Sequence, residues 1–76
     1  MSTTIEFKGI EFDTNDEALQ HADAGGGEAI LLGGRRFVVS EREADRLAEA
    51  GVFFAYLFEH EMPDGRRRVM TVPVND

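Results

Sequence analysis

Six residues in a row, Phe53-Phe54-Ala55-Tyr56-Leu57-Phe58, are apolar, within a longer strand-like stretch from Val52 to Glu61. Successive side chains of a strand point to opposite faces of its sheet. Such a run is therefore apolar on both sides. A two-layer domain lays its helices on one sheet face and leaves the other to polar alternation against water, so a doubly apolar strand needs a second cover. That cover is expected from the chain's own N-terminal segment, from a second copy of the chain, or from another partner.

Length sharpens the demand. The 76 residues are expected to form a single small domain spanning 1–76, and chains this short bury only about 60% of the surface they expose when unfolded. Domains of this size often add disulfides, a metal or a second subunit. With no cysteine, disulfides and thiolate metal sites are excluded, which leaves oligomerisation as the common remaining device.

The rest of the chain divides into short elements. Ile5 to Phe12 reads as a strand, its apolar residues alternating at 5 and 7 and then at 10 and 12. The change of parity at Gly9 predicts a β-bulge. Thr14-Asn15-Asp16-Glu17 is a capping box, followed by a narrow stripe of Ala18, Leu19 and Ala22. Gly25-Gly26-Gly27 ends that helix and reads as a flexible linker. Glu28 to Leu32 and Arg35 to Val39, joined at Gly33-Gly34, predict a hairpin with a two-residue loop. In that register Ile30 meets Phe37, Leu32 meets Arg35 and Ala29 meets Val38.

Ser40-Glu41-Arg42-Glu43 is a second capping box, with Ala44, Leu47 and Ala48 as its apolar stripe and Gly51 as its stop. Met62-Pro63-Asp64-Gly65 suits a type I turn in a three-residue hairpin loop. That loop pairs Glu61 with Arg67, Phe58 with Met70, Tyr56 with Val72 and Phe54 with Val74. The expected fold is α+β: two layers, a mainly antiparallel sheet and two short helices, in the order βαββαββ. Its first six elements follow the order of a ferredoxin-like split βαβ arrangement, with one C-terminal strand added. The resemblance is one of element order alone.

Few residues offer chemistry. Glu59-His60-Glu61 has the composition of a catalytic triplet, but alternation puts the two carboxylates on one face and His60 on the other. His21 is the only other histidine, so no metal site is expected, and no cofactor. Arg66-Arg67-Arg68 is split the same way, with Arg67 facing the glutamates. The glycine run follows a helix, whereas phosphate-cradling loops precede one. Ser40 serves as a cap, and no catalytic residue is assigned. A small-ligand or catalytic site would have to draw on Tyr56, His60, Arg66 and Arg68.

Charge argues against nucleic acid. Residues 1–28 hold seven acids against Lys8, a net of −6, and residues 29–76 hold eight acids against seven arginines, a net of −1. Phosphate backbones call for a basic footprint, which this chain supplies only if Arg35-Arg36 and Arg66 to Arg68 converge. The N-terminal residues lack the basic and apolar regions of a secretory signal, and no run reaches membrane-span length, so the expected location is the cytoplasm. The leading expectation is a non-enzymatic protein-interaction module, a homodimer or a partner of another protein, joined through the face bearing Phe53, Ala55 and Leu57 or through an edge of the sheet.

Overall fold

The computed structural model describes residues 7–75. Its elements are β1 (Gly9–Phe12), α1 (Asn15–Gly25), β2 (Glu28–Leu32), β3 (Arg35–Val39), α2 (Glu41–Glu49), β4 (Phe54–Glu61) and β5 (Arg67–Val74). The order is the expected βαββαββ, and the domain is α+β. All five strands join one antiparallel sheet in the order β1-β3-β2-β4-β5.

Local chemistry makes each helix. Thr14 Oγ1 accepts from the Glu17 backbone N–H at 3.2 Å, and its hydroxyl reaches the Glu17 carboxylate at 3.1 Å. Ser40 Oγ accepts from the Glu43 N–H at 3.1 Å. The Glu43 carboxylate does not close its box; it accepts from the Lys8 backbone N–H and from Arg46. At the end of α2, Gly51 N–H donates to Ala48 and Val52 N–H donates to Leu47, the paired bonds of a Schellman stop.

Both hairpins have the expected register. Ile30 faces Phe37 and Leu32 faces Arg35 across a loop in which Gly33 and Gly34 take φ of 61° and 79°. Those positive angles mark a type I′ turn, whose twist suits the flanking strands. In the second hairpin Phe58 faces Met70 and Tyr56 faces Val72. Its loop is closed by Met62 N–H to Arg66 and Gly65 N–H to Met62.

The layering differs from the two-layer expectation. The connection through α1 passes from β1 over β3 to β2, and the one through α2 passes from β3 over β2 to β4. Both move the same way across the sheet, but they start from strands running in opposite directions. Right-handed crossovers of this kind must fall on opposite faces. The packing shows that they do. Ala18 and Leu19 of α1 pack with Ala29, Val38 and Leu57, whereas Ala44 and Leu47 of α2 pack with Ile30, Val39 and Phe54. Alternation along β2, β3 and β4 sends these two strand sets to opposite sides. The molecule thus has a helix on each face of one sheet. A ferredoxin-like arrangement keeps both helices on one face; here β4 lies beside β2, and the likeness stops at element order.

The N-terminal parity change has the same origin. The pairing of Gly9 to Phe12 with Val39 to Arg36 is continuous and has no bulge. Phe7 goes to the α2 face, edge-on to Phe37 at 5.1 Å, and Phe12 goes to the α1 face beside His21. Two parities serve two cores. Ile5 and Glu6, part of the expected strand, lie outside the described residues. The glycine run is not a loose linker either. Gly26 closes α1 by donating to Ala22, and a Cβ on Gly27 would lie 3.0 Å from the Val39 carbonyl oxygen. No helix among the described residues is long and apolar enough to cross a membrane.

Candidate functional site

The strand that set the problem, β4, is covered on both faces over its first half. On one side Phe54, 1% exposed, lies under α2; on the other Leu57, 4% exposed, lies under α1. The second cover is α1, through Ala18 and Leu19. The expected interface of Phe53, Ala55 and Leu57 is accordingly not an open face. Leu57 is core, Ala55 is half-buried, and Phe53 is exposed ahead of the strand.

The open apolar surface has the opposite parity. Phe58, Met70 and Val72 are 47%, 50% and 48% exposed. They share the α2 face of the β4–β5 hairpin with half-buried Tyr56. Phe58 lies across from Met70 and Tyr56 across from Val72, so the four form one contiguous strip. Their rings continue the line from the core: Phe54 to Tyr56 at 5.3 Å, then Tyr56 to Phe58 at 6.2 Å. Phe58 and Met70 are bare because α2 is short for the strand it covers, and Val72, level with Tyr56 and Ile30, because it lies on the edge strand. Nine helical residues extend about 13 Å, and the eight of β4 about 26 Å. β2 also pairs with β4 only at Ala55 and Tyr56, so the outer hairpin extends past it as an arm.

Charges border the strip unevenly. The Tyr56 hydroxyl is held above its ordinary pKa, first by burial and then by the carboxylates of Glu28, Asp45 and Glu41. The α2 flank is therefore acidic. At the outer end His60 faces Arg68 across the hairpin, both exposed. Glu59 and Glu61 occupy the other face, as alternation requires, and Glu59 pairs with Arg67 at 3.4 Å. Arg66 sits in the loop, 3.5 Å from Asp64.

The four residues considered for a ligand site do not converge. Tyr56 is separated from His60 and Arg68 by Phe58 and Met70, and Arg66 lies beyond them in the turn. His21 packs by Phe12 on the α1 face, with the sheet between it and His60. No group of three or more His, Asp or Glu side chains among the described residues could hold a metal ion. The two arginine-bearing turns sit at opposite ends of the sheet, since Leu31 aligns with Ala55 while the second loop follows Glu61. Arg36 is occupied internally, bonded to Asn15 and to the Asp13 carbonyl.

A concavity lies on the α1 face, an open cleft of about 390 Å³ between α1 and the hairpin. Leu19 and Leu57 form its floor, and Asp23, Glu59 and Glu61 rim it with Arg67. Neither a histidine nor a hydroxyl side chain lines it, so it assembles no nucleophile with a base.

The sequence named Phe58, Met70 and Val72 as cross-strand partners but did not mark them as surface. A length comparison between α2 and β4 carries that signal. No protein-family model matches the chain, and no curated protein or solved structure shows significant similarity to it.

Proposed function

We propose that this protein is a non-enzymatic interaction module that self-associates through the apolar strip of Tyr56, Phe58, Met70 and Val72. One observation carries the reading: three large apolar side chains, each about half exposed, lie side by side on a projecting hairpin. Contiguous apolar surface of this kind characterises interaction sites, whereas isolated exposed apolar residues are ordinary. The flat strip offers no enclosed pocket for a small molecule. It does offer a self-complementary surface, the kind a two-fold dimer uses. Edge pairing through β5 is the less suited route, because Pro73 lacks an N–H and breaks the row of edge donors.

The test is sedimentation velocity over a range of concentrations. The protein should show a concentration-dependent rise in mass, and Met70→Glu should remain monomeric with an unchanged circular dichroism spectrum. A strict monomer at high micromolar concentration would exclude the reading.

A further inference from the structure

We infer that two copies pack arm on arm and antiparallel about a two-fold axis near the Phe58–Met70 pair, so that Arg68 of each copy meets Glu41 and Asp45 of the other. This rests on the self-association proposed above and adds the charge pairs that fix its register.

The strip is bipolar. At its outer end stands Arg68, exposed, with no ion pair among the described residues. Along its helix-side border stand Glu41 and Asp45, one turn apart on α2 and also exposed, again with no ion pair among the described residues. Helical spacing puts these two on the same flank of α2 as Ala48, whose carbonyl accepts from Asn75 just beyond β5. Glu43 lies on the other flank, where Lys8 and Arg46 occupy it. Glu41 and Asp45 thus border the strip with no ion pair among the described residues.

Geometry decides the orientation. Two copies stacked about a two-fold axis with their strands parallel would set tip beside tip, Arg68 near Arg68, and leave each acidic flank away from both arginines. Turning the second copy end for end corrects both. Each arm then lies on the other's strip, and its tip reaches the opposing α2 at the Glu41 end. A two-fold axis makes every such contact occur twice, so one arginine per copy yields two equivalent charge clusters. Like charges opposed at an interface cost more than rim pairs contribute, which makes charge placement a device of register and specificity.

The experiment is a charge exchange. Arg68→Glu alone, and the double variant Glu41→Arg with Asp45→Arg alone, should each weaken self-association roughly tenfold or more, since both oppose like charges. An equimolar mixture of the two should recover mixed dimers at wild-type strength, measured by fluorescence energy transfer between labelled chains. Circular dichroism and thermal melts show that the variants fold. Three results overturn something definite. If wild type self-associates and Met70→Glu abolishes it, but neither charge variant changes it, the antiparallel register is wrong and the strip reading stands. If the charge variants weaken it but their mixture shows no recovery, the pairing of Arg68 with Glu41 and Asp45 is wrong. If wild type is monomeric throughout, both proposals fall together.

Discussion

Two hydroxyls, on Thr14 and Ser40, fix where the helices begin, each by accepting one N–H that the first helical turn leaves unbonded. Ser40→Ala should cost about 1 kcal/mol of folding stability, readable from urea denaturation. In the first hairpin turn, Gly34 has φ of 79°. Gly34→Val should cost about 1–2 kcal/mol because a β-carbon crowds the following carbonyl in that conformation. Tyr56 gives a residue-scale test of the acidic border. Its folded pKa is raised above the ordinary 10.0 by burial and by Glu28, Asp45 and Glu41. The neutral phenol is therefore the form that folding favours. Its contribution to stability is complete below pH 10 and is lost as pH rises through the folded value. Because Tyr56 is the only tyrosine, tyrosinate absorbance reports it alone. The titration midpoint should lie above that of a model tyrosine, and Glu41→Gln with Asp45→Asn should move it back down.

At the scale of elements, the two helices divide the work of covering a single sheet. Leu47 of α2 is fully buried and Leu19 of α1 is 7% exposed, each at the centre of its own cluster. Leu47→Ala and Leu19→Ala should each cost about 2–4 kcal/mol. Either is a large share of the few kcal/mol that hold a domain this small. Thermal melts of the two variants should show comparable destabilisation; a strong effect from Leu47 and none from Leu19 would mean that α1 does not cover the sheet. Much at this scale was legible in the sequence. The capping boxes, the Gly33-Gly34 turn and the Pro63-Asp64-Gly65 loop are local signals, and each loop fixes the register of its strands. The extent of β1 was less legible, because the parity of Phe7 and Phe12 depends on which helix each residue meets. Which helix that is follows from the placement of the strands, and the spacing of the apolar residues does not record it.

For the whole molecule, the consequence of a helix on each face is a covered centre and a bare arm. Val39, Ile30 and Phe54 lie beneath α2, while Phe58, Met70 and Val72 lie past its reach on the same face. On the arm, three large apolar side chains stay about half exposed. Met70→Glu is expected to leave stability within about 0.5 kcal/mol of wild type, as surface substitutions do, while abolishing self-association. Denaturation and sedimentation on the same variant separate the two effects. Of the residues first considered for the interface, Ala55 and Leu57 lie on the α1 side of β4, and Phe53 is exposed ahead of the strand. Leu57→Ala should therefore act on stability, through the cavity it leaves.

The aromatic run at 53–58 determined by itself that β4 must be covered on both faces, because alternation of side chains is a property of any strand. The sequence also determined the element order and both hairpin registers, since caps and turns depend on residues a few positions apart. Only the tertiary structure decided what the cover is. That choice rests on where β4 joins the sheet: beside β2, it carries the second crossover to the face opposite the first. Strand placement is a long-range outcome of packing. No local pattern records it, and with it goes the identity of the surface left open.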